Sequence, residues 1–222
     1  MYHRDVVEAP NFQTEMRQLL RERIVDAGRR IVITEGWGAV NMSRLAKEVG
    51  VSRPVLYKEF ANKHELAEVV IQQEVDIFLV GIAESLAAHP ADVAAGMTQA
   101  VDYTLRTGAD NTLLKAVLAG RSETDTALLP VLMTETEPVL GRAITAVSGA
   151  LRTQYGLDDM SDIELTSMSE VLVRLALSHL FQPTGPIDRA VGQIRRVIVG
   201  AFGAALEQSA AQSDRSGSGG SS

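Results

Sequence analysis

The sequence predicts an all-α protein: an N-terminal three-helix head that carries a helix-turn-helix, followed by a larger all-helical body. Apolar residues recur with helical period along almost the whole stretch from Thr14 to Ser209, and strand signals are absent. Leu, Ala, Glu and Arg are abundant, which favours helices over sheet. Proline and glycine punctuate the periodic runs where helices would end.

The first helix is expected from about Thr14 to Glu35, with Leu20, Ile24, Ala27 and Ile31 on one face. The run EGWG stops it: Gly36 suits the left-handed position after a helix, and Trp37 can fold back as its apolar seal. Asn41 is a good N-cap for a short second helix, Met42 to Val49, which Gly50 ends. Val51 turns inward and Ser52 caps a third helix, Arg53 to Phe60. Its Pro54 falls in the first turn, where a missing N–H costs nothing. Asn62, with Glu65 three residues later, opens a fourth helix that should run to about Ala88. At ~1.5 Å per residue it spans roughly 39 Å, longer than the head is wide, so it must leave the head and enter the body.

Further helices are expected near 91–107, 111–119, 126–134, 137–155, 162–181 and 187–208, and the run QPTGP makes the last two an antiparallel pair. Pro130 and Pro138 bracket a short helix that could move, or only shape a turn. The expected division is an extension over 1–16, a head over 17–64, a body over 65–210 and a flexible Ser/Gly-rich tail over 211–222.

Charge is unevenly placed. Met1 to His64 holds eleven Lys/Arg against eight Asp/Glu, a net +3, so the rest of a chain of net charge −7 carries −10. A basic head on an acidic body fits a polyanion contact confined to one end. The chain has no cysteine, which excludes disulfides, thiolate metal sites and a cysteine nucleophile. The start MYHRDVVEAP lacks a signal-type apolar run and no 18-residue uncharged apolar stretch follows, so a cytoplasmic protein with no membrane span is expected.

An enzyme finds little support. His3, His64, His89 and His179 are scattered, with none at helical spacing from another ligand, so neither a metal nor a cofactor is expected. Neither a Gly-rich phosphate loop nor a nucleophile elbow occurs. DDMSD, Asp158 to Asp162, has the spacing of a prenyl-diphosphate Mg²⁺ site, but it falls in an expected loop where Asp162 would cap the next helix.

The segment from Asn41 to Phe60 reads as two short helices joined by a tight turn at Gly50. Leu45, Val51, Leu56 and Phe60 supply an apolar seam, which leaves Arg53, Pro54, Val55, Tyr57 and Lys58 facing outward. Such a helix can enter a major groove; it could equally be a solvated hairpin with ordinary surface charge.

The run GWGAVNMSRLAKEVGVSRPVLYKEFANKHEL resembles the DNA-binding signature of the TetR family of bacterial transcription regulators. The matching residues are Gly36-Trp37, Asn41, Leu45-Ala46, Gly50-Val51-Ser52, Leu56-Tyr57, Phe60 and Lys63, within about Arg21 to Val70. The resemblance implies a repressor that binds a palindromic double-stranded operator as a homodimer and is released by a small-molecule effector. It implies that Arg53 reads guanine, that Pro54 and Val55 pack on thymine methyls, and that Tyr57 and Lys58 touch phosphate or base edges. It also implies phosphate contacts for Lys63 and for the backbone near Met42, with Asn41, Ser43, Arg44 and Ser52 at the same surface. Glu59 departs from the family pattern; it could accept from cytosine N4, or pair with Lys58 or Lys63.

For the body, the resemblance implies a dimer through the last two long helices. Ile163, Met168, Val171, Leu172, Leu175 and Leu180 recur at helical spacing, as do Ile187, Val191, Ile194, Ile198, Ala201 and Ala205, with Gly200 and Gly203 permitting close approach. An effector pocket between the middle helices would draw on Phe78, Met97, Tyr103, Leu113, Met133 and Leu140, with Arg174 or His179 as polar handles. Few charges occur there, so a lipophilic effector is expected. The rival reading is an all-helical lipid or small-molecule carrier that does not bind DNA.

Overall fold

The computed structural model describes residues 12–119, 129–157 and 160–217, with side chains described for all of these except 119, 129–139, 202 and 204–217. Nine α-helices account for nearly all of the described chain: α1 (Phe12–Glu35), α2 (Met42–Val49), α3 (Arg53–Glu59), α4 (Lys63–Ala87), α5 (Val93–Asp110), α6 (Thr112–Ala119), α7 (Leu129–Tyr155), α8 (Asp162–Phe181) and α9 (Ile187–Gly217). Among the described residues, no helix is long and apolar enough to cross a membrane.

The local signals act as their chemistry requires. Gly36 and Gly50 adopt positive φ (83° and 81°), the backbone that a side chain resists. Asn41 Oδ1 accepts from the amides of Ser43 (2.8 Å) and Arg44 (3.3 Å), and Asn62 Oδ1 accepts from the amide of Glu65 (2.9 Å). Ser52 holds the N-cap position of α3, but its side chain makes no capping bond.

Two apolar cores divide the molecule, and α4 belongs to both. The first gathers Ile24 and Ile31 of α1, Leu45 of α2, Leu56 and Phe60 around α3, and the Leu66–Val75 part of α4. The second holds Phe78, Ile82 and Leu86 of the same helix with the buried faces of α5, α7, α8 and α9. In the body α5 is central, packed on α4, α6, α8 and α9.

Glycine lets α5 sit this close. Tyr155 Oη and Gln154 Nε2 both donate to the Leu86 carbonyl (2.8 and 2.5 Å), and a Cβ on Gly96 would overlap the Tyr155 hydroxyl and stand 3.2 Å from that carbonyl. Gly96→Ala should therefore destabilise the body by ~1–2 kcal/mol despite alanine's helix preference, a loss of a few degrees in Tm by calorimetry. An unchanged Tm would show that Tyr155 can step aside at no cost.

Four expectations are corrected. The helices expected at 126–134 and 137–155 are one, α7, which continues through Pro138; burial of Ala143, Val147 and Leu151 on its inner face outweighs the one backbone bond that proline removes. Pro130 lies in its first turn, where proline is tolerated. Ser161, not Asp162, caps α8: its hydroxyl accepts from the Glu164 amide (3.3 Å) while the Glu164 carboxylate accepts from the Ser161 amide (2.9 Å). Asp162 instead pairs with Arg152 (2.7 Å), and Asp158 and Asp159 lie outside the described residues. Finally, α1 begins at Phe12 and α9 continues to Gly217, beyond the sequence estimates at both ends.

Candidate DNA-reading surface and body cavity

The turn between α2 and α3 is closed by the amides of Gly50 and Val51, which both donate to the Ala46 carbonyl (3.0 and 2.9 Å). Leu45, Leu56 and Phe60 are fully buried beneath it, which fixes α3 against the head. The outer face of α3 then consists of Arg53, Pro54, Val55, Tyr57 and Lys58, all exposed, with Val55 at 39% and Tyr57 at 40%. Among the described residues neither the Arg53 nor the Lys58 side chain has an ion pair or a hydrogen bond. Ser52, with its hydroxyl unused by the cap, sits at the leading edge of the same face.

The C-terminal end of α3 is fastened to α1. Arg17 Nε donates to both Glu59 oxygens at 3.0 Å, Arg21 donates to the Glu59 carbonyl at 2.6 Å, and the Arg21 guanidinium lies 4.1 Å from the Phe60 ring centroid. Glu59 thus pairs neither with Lys58 nor with Lys63, and its buried carboxylate is turned away from the outer face. The sequence could not show this, because Arg17 is 42 residues away. Lys63 is also engaged: its Nζ donates to the Trp37 carbonyl (2.8 Å) and sits 4.5 Å from the indole centroid.

Arg44 is held by a carboxylate. Its two terminal nitrogens donate to Glu35 at 2.8 and 2.5 Å, and this hydrogen-bonded pairing pulls the Glu35 carboxyl below its ordinary range. Glu35→Gln should free Arg44 for a phosphate, tightening DNA binding and steepening the log–log salt slope by about two for a dimer, one for each Arg44. A slope equal to that of the unmodified protein would assign Arg44 no phosphate.

In the body, a cavity of about 330 Å³ opens between α4, α5, α7 and α8. Three of the residues expected to line it do so: Phe78, Met97 and Leu140. Tyr103 stands behind the wall, its ring stacked on Phe78 at 5.8 Å. The other assignments move. Leu113 packs in the head core, Arg174 is exposed and bonded to Glu170 (2.7 Å), and His179 borders a separate hollow near the α8–α9 loop. The Met133 side chain lies outside the described residues. Leu172, grouped by its period with the dimer face, points into the cavity, as do Ile82, Thr104 and Ala176, which the sequence reading passed over. The spacing of Ile82 from Phe78 and of Ala176 from Leu172, four residues along the same helix face, and of Thr104 from Met97, seven residues, was the available signal. Thr104 is the one hydroxyl among the described lining residues, and it donates to the Ala100 carbonyl (2.8 Å).

This architecture has known relatives. A family model described as "Bacterial regulatory proteins, tetR family" matches residues 24–70, and a second, "Bacterial Tetracyclin repressor, C-terminal domain", matches 92–200. The chain belongs to the TetR family. TetR regulators are DNA-binding proteins rather than enzymes; they generally bind DNA as dimers and respond to small molecules. Among curated proteins, the chain is 26% identical to the HTH-type transcriptional regulator AlkX of Mycobacterium tuberculosis, over 82% of this chain and 84% of the relative. Among solved structures, the TetR family repressor AlkX from Dietzia sp. strain DQ12-45-1b shares the fold with a TM-score of 0.60 at 24% identity, covering 82% of this chain and 95% of that one. A transcriptional regulator from Rhodococcus sp. RHA1 gives 0.57 at 20% identity, covering 81% and 96%.

Proposed function

We propose that this TetR-family chain is a repressor that grips a palindromic operator as a two-fold dimer and releases it when an uncharged, apolar effector fills the body cavity. The observation that carries the reading is the outer face of α3, where Arg53, Tyr57 and Lys58 stand exposed on a helix whose other side is sealed into the head. In this reading Arg53 gives a bidentate bond to guanine, and Ser52, Tyr57 and Lys58 bind phosphate or base edges. Asn41 occupies the Ser43 and Arg44 amides, so at the start of α2 the Met42 amide remains for phosphate.

A dimer through α8 and α9 is supported by apolar residues that one protomer leaves at the surface: Ile163 at 82% exposure, with Val171, Val197 and Val199. Among the described residues a Cβ on Gly200 or Gly203 would meet nothing within 4 Å, which leaves room for a second backbone. Two reading helices must then meet successive major grooves, ~34–36 Å apart.

The effector class follows from the apolar cavity wall. The described lining offers no cation to a carboxylate or phosphate. The Dietzia AlkX is described as implicated in biodegradation of n-alkanes, which agrees with an aliphatic effector here. Release is a population shift: a ligand that prefers one body shape by ~1–3 kcal/mol weakens operator binding roughly 5- to 150-fold.

The test begins with selection of bound fragments from genomic DNA, followed by titration of the selected operator across a salt series. Affinity should fall linearly on a log–log plot, and 1-dodecanol should weaken it where dodecanoate does not. Failure on every duplex, with dodecanol still bound, would instead identify a carrier.

A further inference from the structure

Helix α6 touches both halves of the molecule. Leu113 and Val117 pack into the head core, Leu114 packs into the body core, and Leu118 lines the cavity. Its partners include α1 as well as α4, α5 and α7. An eight-residue helix with one face on the reading head and another on the cavity wall is placed to feel both.

The start of α6 is tied to α1 through a buried carboxylate. Glu74 lies in the middle of α4 and is 2% exposed. Its Oε2 accepts from Arg29 Nε of α1 at 2.5 Å, and its Oε1 accepts from Asn111 Nδ2 at 2.6 Å. The same Asn111 side chain accepts from the Leu114 amide (3.0 Å) through Oδ1, holding the first turn of α6. One buried anion thus joins the head, the helix shared by both cores, and the cavity-lining helix.

Both carboxylate oxygens are satisfied, yet a buried ion pair adds little net stability over apolar packing, so this group is a poor choice for stability alone. Its geometry is also unforgiving. A slide of α6 by an ångström or two would strip Asn111 from Oε1, or drag Glu74 and Arg29 with it. An apolar group could fill the same space at less cost but would tolerate such a slide.

We propose that Arg29–Glu74–Asn111 couples the cavity to the reading head. Occupation of the cavity presses on Leu118, α6 shifts, and Asn111 carries the shift through Glu74 to Arg29 and the seat of α1. Glu74 and Asn111 act as positioning residues; neither touches DNA nor effector. The proposal rests on the repressor reading above.

Asn111→Ser separates this role from a structural one. Serine still caps α6 through its hydroxyl, but it is too short to donate to Glu74. Glu74→Gln is the second variant, since its amide can accept from Arg29 or from Asn111 but must turn a donor toward the other. Operator affinity is measured for each protein without ligand and with saturating 1-dodecanol, beside amide exchange in α1 and thermal melting. Asn111→Ser should melt within a few degrees of the unmodified protein and bind operator within about threefold. Its loss of affinity on adding dodecanol should be at least about fivefold smaller, and exchange around Arg29 should no longer respond to dodecanol. A dodecanol response within about twofold of the unmodified protein in both variants would overturn the coupling while leaving the repressor intact. If dodecanol leaves operator binding of the unmodified protein unchanged, the effector reading itself falls, and the coupling with it.

Discussion

Phe60→Ala should abolish operator binding while leaving the body folded. Phe60 is fully buried where α3 meets α1 and α4, and truncation of such a ring costs ~3–5 kcal/mol through lost burial and the cavity left behind. It also removes the surface on which the Arg21 guanidinium lies, so the fastening of α3 to α1 loosens as well. Trp37, the one tryptophan, is 3% exposed in the same core, so its emission reports on the head alone. The expected result is red-shifted Trp37 emission at a temperature where helical circular dichroism and dodecanol binding persist. Native emission with undiminished operator affinity would show that the head tolerates the hole and that α3 is held by other means.

Arg53→Ala should leave the fold untouched and weaken operator binding roughly 30- to 25,000-fold, because the dimer loses two bidentate guanine contacts at ~1–3 kcal/mol each. Arg53 is exposed at the first turn of α3, so its removal leaves no cavity behind. The loss should fall on one position of each half-site, and sedimentation should still find the dimer. An unchanged base preference in a randomised-site selection would strip Arg53 of its reading role. Lys63 calls for a different reading of the same kind of experiment: Lys63→Ala would disturb the Trp37 turn before it removed any phosphate contact.

Legibility followed the range of the interactions. The ends of α2 and the starts of α3 and α4 were readable because Asn41, Gly50, Pro54 and Asn62 act on backbone only a few residues away. The same holds for Gly36, whose backbone φ of 83° only glycine adopts without strain. Glu59 was misread because its partner comes from α1, and nothing local distinguishes an inward carboxylate from an outward one. The cavity was half legible for a related reason. A helical period marks which face of α8 is apolar, yet Leu172 facing the cavity and Val171 facing outward differ only in what lies opposite. The Arg29–Glu74–Asn111 contact spans elements 45 and 37 residues apart and left no sequence signal at all.

Because α4 lends Leu66, Val70, Ile71 and Val75 to the head core before entering the body, a splice at residue 64 would cut the head's interior in two. Anyone grafting this reader onto a foreign sensor should place the junction beyond Val75. Leu113 and Val117 would still be missing, and the recipient would have to supply a helix of matching shape or leave the transplanted module gaping on that side.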